Sequence, residues 1–308
     1  MTKPRAMLFG PFVGEMFWEA FRFAPIAINA AVNPKEKYKG VKIIAFTREE
    51  RFDLYGKHAD ILVPLRIKGD YSNTMKPNCF KLNGAPKDLY PTLISSFRDV
   101  YEKRFEIISH LYPNIENRQF ENKEQFRRHP MNYSFAPRQK NYELIDNYLP
   151  NDKPIVVLGS RFRKGFRRNW KNWQEFYNVL SNDQFLMRNF TFVVCGKKEE
   201  YIGDEQNRFY DMTKIKLQDG ASLIGLLLVI LQRAFFTFGS QSAIPNLSLL
   251  HNVDVLEFGC QKAYHTKTYN VKNTPIKFIE NVSYDLDANV ALNELRAMLK
   301  NKMKKENL

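Results

Sequence analysis

Cysteine is scarce in this 308-residue chain, which has three: Cys79, Cys195 and Cys260. They are far apart, odd in number and form no C-x-x-C pair. That excludes a disulfide framework or a zinc knuckle and fits a reducing, cytoplasmic setting. Long hydrophobic runs are also missing, since nothing approaches the roughly 18 apolar residues of a membrane span. The most apolar stretch, Ile224 to Ile230, reads as a buried helix. The opening MTKPRAMLFGPFVGE has two early positive charges but no small-residue cleavage site, so it is not read as a signal peptide. Of the five histidines, neither His58 nor His129 has metal-ligand company, and no metal site is expected.

Negative charge is in deficit. Lys and Arg number 47 against 33 Asp and Glu, a net charge of +14. Such an excess attracts phosphate-rich partners: nucleic acid, anionic membrane or nucleotides. It does not locate them, because residues 1–150 carry 24 basic against 17 acidic side chains and residues 151–308 carry 23 against 16.

The chain repeats one grammar twice. Ala6 to Phe9 reads as a strand, followed by a Gly-Pro-Phe-Val-Gly turn and a helix-like stretch from Glu15 to Ala31. Val41 to Phe46 and Asp60 to Pro64 read as further strands, separated by the charged, helix-like TREERFDLYGKH. Gly69 to Pro91 lacks a period and reads as a long loop or lid, Thr92 to Leu111 as a helix, and PNDKP at 150–154 as a linker. The second half restarts with a strand at Pro154 to Leu158, a loop, and a helix ending near Leu180. Strands at 190–195, 234–238 and 253–258 follow, with helices at 222–233 and 245–251 and an amphipathic terminal helix at 285–302. Alternating strands and helices predict two parallel-sheet α/β lobes, with ligands at the carboxyl ends of the strands. The expected domains are residues 1–150, residues 151–284 and a C-terminal helix with a basic tail at 285–308, the helix packing back on the first lobe.

Two loops of the second half carry chemistry. The first, GSRFRKGFRRNW, places Arg161, Arg163, Lys164, Arg167 and Arg168 together without an acid. Guanidinium forks match phosphate oxygens in pairs, so this spacing suits a diphosphate; a solvated basic loop or a nucleic-acid backbone contact is the competing account. The second, Gly239-Ser240-Gln241-Ser242 with Pro245 in the following first turn, offers backbone N–H groups and a helix N-terminus to an anion, or is an ordinary turn with Ser242 as N-cap. The Trp170/Trp173 pair reads as packing at a helix start.

These stretches resemble the nucleotide-sugar lobe of GT-B glycosyltransferases, especially the heptosyltransferase-like family nine. The matching segments are Arg161 to Trp173, Val193 to Gly196 and Gly239 to Pro245, within a resemblance that covers about 110 residues; Ala243 stands where a second glycine is common. The opening G-P-F-V-G-E-M-F-W-E is similar to that of phage and bacterial proteins of the same group, with Phe17 replacing the usual glycine. The resemblance implies two Rossmann-like lobes facing a cleft and metal-independent transfer of a glycosyl group from a nucleotide diphosphate sugar, UDP-linked, to a hydroxyl. It implies no tightly bound cofactor. Donor contacts would come from Arg161, Arg163, Arg168, Gly196, Gly239, Ser240, Gln241 and Ser242. Apart from the resemblance, Glu257 at a strand end reads as a ribose contact or as a solvated acid, and His265 as a contact to the sugar or phosphate or as a structural histidine. Glu15 is the candidate base, with Glu19 one helical turn later on the same face; the alternative for Glu15 is a carboxylate that merely favours the helix dipole.

Three roles compete for the acceptor side. The reading placed first is DNA carrying a hydroxymethylated pyrimidine, as phage glycosyltransferases modify. Lys37, Lys39, Arg48, Arg51, Arg127, Arg128 and Arg138, interleaved with Tyr38, Tyr55 and Tyr133, would line its groove. The second is a lipid-linked or surface saccharide. The third is a nucleic-acid-binding protein without catalysis. A monomer is expected in each case.

Overall fold

The computed structural model describes residues 2–12, 16, 19–66, 89–114, 119–120, 135–162, 169–198, 201–259, 270–279 and 284–307. The chain divides into two compact units, Met1–Arg138 and Gln139–Leu308.

In the first unit, strand β1 (Arg5–Phe9) has an exposed first residue and four buried ones, as a strand covered on both faces requires. A π-helical turn, Glu19–Phe23, leads into helix α1 (Ala24–Val32). The widened turn precedes Pro25, whose missing N–H breaks the regular hydrogen-bond ladder at this point. Strand β2 (Lys42–Thr47) is followed by 3-10 turns at Glu49–Leu54 and Gly56–His58, where the sequence suggested a helix. The three-residue period turns both Arg51 and Leu54 inward. Strand β3 (Ile61–Pro64), helix α2 (Leu89–Glu102) and strand β4 (Glu106–Leu111) complete the layer. The helix expected over 92–111 therefore stops at Glu102. Its last six residues are a strand because Glu106–Leu111 pairs with β1 inside the sheet, a long-range contact that outweighs local propensity. A two-residue ladder, β5 (Pro113–Asn114) with β6 (Gln119–Phe120), follows. The sheet order is β3-β2-β1-β4, all parallel. Phe97 of α2 packs with Ala6, Leu8 and Ile44 in the core.

The second unit begins with α3 (Gln139–Tyr148), ahead of the PNDKP segment. Its buried Asn141 accepts from the Ser222 N–H (3.0 Å), and a Cβ on Gly225 would meet the Asn141 side chain at 2.4 Å. This close approach seats α3 on the helix that begins at Leu223. Strand β7 (Ile155–Gly159), helices α4 (Trp173–Asn182) and α5 (Gln184–Asn189), and strands β8 (Thr191–Cys195) and β9 (Tyr210–Asp211) come next. Helix α6 (Leu223–Arg233), almost wholly apolar and buried, starts at Ser222, whose hydroxyl accepts from the Gly225 N–H. Then follow β10 (Ala234–Ser240), α7 (Ala243–Leu250), β11 (Asp254–Phe258), β12 (Ile276–Phe278) and α8 (Ala288–Glu306). The sheet order is β12-β11-β10-β7-β8-β9, again parallel throughout.

Trp170 and Trp173 are fully buried in an aromatic core with Phe176, Phe238 and Phe258. Helix α8 was expected on the first lobe. Instead its Ala291, Leu295 and Leu299, spaced four apart and so on one face of the helix, join this second-unit core beside α4. Among the described residues, no helix is long and apolar enough to cross a membrane.

Candidate functional site

The second sheet has its topological switch point between β7 and β10, where successive connections run to opposite sides. Parallel α/β sheets hold ligands outside the carboxyl ends of the strands at such a point. The strand ends there form one row: Gly159 of β7 pairs with Cys195 of β8 and Gly239 of β10, and Gly239 with Glu257 of β11. The two glycines at the junction permit a close approach, since a Cβ on Gly239 would lie 2.8 Å from the Gly159 carbonyl oxygen. Gly196 is similarly constrained, its added Cβ meeting the Tyr201 Cβ at 2.4 Å.

The two loops singled out in the sequence leave from this row and are linked. The Arg161 guanidinium donates from Nη1 to the Gln241 carbonyl at 2.8 Å, spanning the switch point. Beside it, Ser240 is fully buried and its Oγ has no hydrogen-bond partner among the described residues; the Ser242 Oγ and the Asn246 Oδ1 are likewise buried and unpartnered among them. Ser242 occupies the N-cap of α7 but its side chain makes no cap bond. Asn246, which sequence reasoning passed over, is held by its amide donating to the Ser242 carbonyl (2.8 Å). Its spacing of four from Ser242 on the helix is the signal that could have found it. Buried hydroxyls left unpaired beside a helix N-terminus and a guanidinium are suited to an anion that supplies the missing partners. Glu257 is fully buried at the end of β11, with Leu256 and Phe258 facing the aromatic core on the opposite side. Arg163, Arg168 and His265 lie outside the described residues, as do Lys164 and Arg167.

The first sheet has its own switch point between β1 and β4, where the loop after β1 begins. The Gly10 N–H donates to the Leu111 carbonyl (2.8 Å) and the Phe12 N–H to the Phe46 carbonyl (3.0 Å). Glu15 lies outside the described residues. Glu19 is fully buried, and its carboxylate accepts from the Thr47 hydroxyl, Arg51 Nη1 (2.9 Å) and the Tyr55 hydroxyl (2.8 Å). Burial raises the Glu19 pKa above its ordinary value, and the Arg51 charge and the three hydrogen bonds pull it back. A carboxylate enclosed in this way organises the fold and is closed to an acceptor. These three bonds tie the Glu19 carboxylate, the second candidate base, to residues 47, 51 and 55 of the same unit.

Several basic residues expected to face DNA are committed elsewhere. Arg51 is buried against Glu19, and Tyr55 is buried with it. Arg138 grips the buried Asp53 with Nε (3.1 Å) and Nη2 (2.9 Å). Arg48 is largely buried, with a Glu50 carboxylate oxygen 3.8 Å away. Lys39 pairs with Glu36 at the surface (2.7 Å), and the exposed Lys37 lies over the Tyr38 ring. Arg127 and Arg128 lie outside the described residues. Arg51 and Arg138 looked like surface charges because their partners, 32 and 85 positions away, carry no local signal.

Among the described residues no three His, Cys, Asp or Glu side chains come together as metal ligands. The acidic triplet Asp285-Leu286-Asp287 is a helix start. Asp287 caps α8, accepting from the Asn289 and Val290 N–H groups, and the Leu286 carbonyl accepts from Trp170 Nε1 (2.7 Å).

No family model matches the sequence, and no curated protein does. Solved structures do match in fold. The Escherichia coli ADP-heptose LPS heptosyltransferase II aligns over 97% of this chain and 99% of its own, with a TM-score of 0.55 and 12% identity. A glycosyl transferase family 9 protein from Veillonella parvula aligns over 97% and 98%, at 0.54 and 10%. The E. coli heptosyltransferase WaaC with ADP aligns over 97% and 99%, at 0.51 and 12%. At such identities the likeness is one of architecture: two parallel α/β sheets in one chain, with the GT-B fold of these glycosyltransferases.

Proposed function

We propose that the protein is a glycosyltransferase that moves a sugar from a nucleoside diphosphate sugar to a hydroxyl of a saccharide acceptor. The observation that carries the donor half is the second-unit switch point, where Arg161 reaches across to Gln241 beside the buried, unpartnered Ser240 and Ser242 hydroxyls. In this reading the second unit holds the diphosphate through Arg161, Arg163, Arg168, the Gly239–Ser242 loop and the α7 N-terminus. Glu257 accepts from the ribose, and His265 meets the sugar or phosphate. The acceptor oxygen attacks the anomeric carbon, and the bond from that carbon to the β-phosphate oxygen breaks. The nucleoside diphosphate departs with the electron pair, its growing charge offset by the guanidinium groups in place of a metal, and Glu15 takes the hydroxyl proton.

A saccharide is preferred to hydroxymethylpyrimidine DNA because Arg51 and Arg138, counted toward a DNA groove, are held in ion pairs within the fold. The fold neighbours named above are heptosyltransferases and a family 9 protein, which supports the same choice. The deciding experiment incubates the protein with UDP- and ADP-linked sugars against saccharide acceptors and hydroxymethylated DNA. Nucleoside diphosphate release and acceptor mass are read together. Release with mass gain on a saccharide supports the proposal; gain on DNA alone transfers the assignment to DNA, and no release from any donor sinks it.

Arg161→Ala is expected to weaken ADP or UDP binding about tenfold to a hundredfold, the loss of one charge-assisted donor group. Ser240→Ala should weaken the same binding while leaving thermal stability unchanged or slightly higher, since the hydroxyl it deletes is buried without a partner. Calorimetric titration beside thermal melts checks both. Undiminished affinity in both variants would remove the diphosphate from this loop.

A further inference from the structure

The carbonyl of Gly10, where the chain leaves β1, lacks its ordinary partner. Gly10 donates to the Leu111 carbonyl, and in a parallel ladder the Gly10 carbonyl would then accept from the N–H of residue 113. Residue 113 is proline and has no N–H. The His110 side chain supplies the donor instead, with Nε2 2.8 Å from the Gly10 oxygen. A carbonyl only accepts, so Nε2 carries the proton. The ring is fixed by edge contacts with Phe97 (5.5 Å between centroids) and Tyr112 (5.0 Å). On the other side, Gly10 has φ +105°, and a Cβ there would fall 2.2 Å from the Phe46 carbonyl oxygen. The start of the loop is thereby held between β2 and β4 at the switch point of the first sheet.

We propose that His110 is a positioning residue: through the Gly10 carbonyl it sets where the loop after β1 leaves the sheet, and so the placement of the acceptor-activating group that this loop carries. The proposal rests on the glycosyl-transfer reading above. Burial also keeps the imidazole pKa below its ordinary value, in keeping with a neutral ring in this role. A purely structural histidine would affect folding alone. A positioning one affects turnover while leaving the donor site of the second unit unchanged.

The test compares His110→Leu, which removes the donor, with His110→Gln, whose amide Nε2 can replace it. His110→Asn, too short to reach, serves where the leucine variant does not fold. Amide exchange at Gly10 and Phe12, calorimetric affinity for ADP and UDP, and kcat and KM on the productive donor–acceptor pair are measured. For the leucine or asparagine variant, faster exchange and a kcat lower by about tenfold to a hundredfold are expected, the scale of a small misplacement of a reacting group. Nucleotide affinity should stay within about twofold, and His110→Gln should recover most of the turnover. Unchanged kcat without the donor, or a glutamine variant as slow as leucine, overturns the proposal alone. Absence of transfer by the unaltered protein overturns the glycosyl-transfer reading and this one with it, while the exchange rates still report whether His110 holds Gly10.

Discussion

Arg51→Ala should destabilise the first unit by about 3–5 kcal/mol, the range for removing one partner of a buried ion pair. Glu19 would keep its place without the nearby positive charge, and the Thr47 and Tyr55 hydroxyls do not replace that charge. The loss should depend on pH, with a sign fixed by linkage. The folded Glu19 carboxyl is already raised above its unfolded value by burial, so the folded state binds the proton more tightly. Such a group contributes stability below the unfolded pKa and loses it as pH rises through the folded pKa. Without Arg51, whose charge lowers that pKa, the folded value rises further. The deficit should therefore be largest above neutrality and shrink toward pH 5. Urea melts of both proteins at pH 5 and pH 8 check it, and an equal deficit at both would mean that Glu19 is not the group left uncompensated. Replacing the pair together, Glu19→Leu with Arg51→Met, should recover much of the stability, because no buried charge then remains alone.

This pair also marks where sequence reasoning stopped. Glu19 lies four residues after Glu15, and helical spacing puts both on one face. It does not reveal that the face at Glu19 turns inward through a π-helical turn toward residues 47, 51 and 55. The second sheet was more legible. Strands β7 and β10 are apolar runs ending in Gly159 and Ser240, so the loops after them could be named. Their meeting follows from strand order, which places β7 and β10 side by side although 74 residues separate the start of one from the end of the other. Strand β4 was missed because a helix-like pattern runs through Glu106–Leu111 and only its pairing with β1 decides the matter. The short strands β9 and β12 are too brief to show a period. His110 stood alone in the sequence. The clue to it was the proline at 113, which removes a donor that the β1 end needs.

Glu15→Gln is expected to leave nucleotide binding intact and to lower kcat about a hundredfold to ten-thousandfold, the usual contribution of a positioned general base. Two carboxylates in the opening segment were candidates, and one is enclosed by Thr47, Arg51 and Tyr55 inside the fold. The segment that carries the other leaves the first sheet at its switch point, the position at which such sheets offer side chains to ligands. Glutamine keeps the size and the hydrogen-bonding capacity of glutamate but cannot accept the acceptor proton at neutral pH, so binding and chemistry separate in this variant. The acidic limb of the kcat/KM profile should vanish with the carboxylate, because it reports the base of the free enzyme. Single-turnover transfer measured at saturating donor, across pH 5 to 9, reads both effects. Near-normal turnover with the acidic limb in place would remove Glu15 as the base and leave the donor assignment, which depends on the second unit alone, untouched.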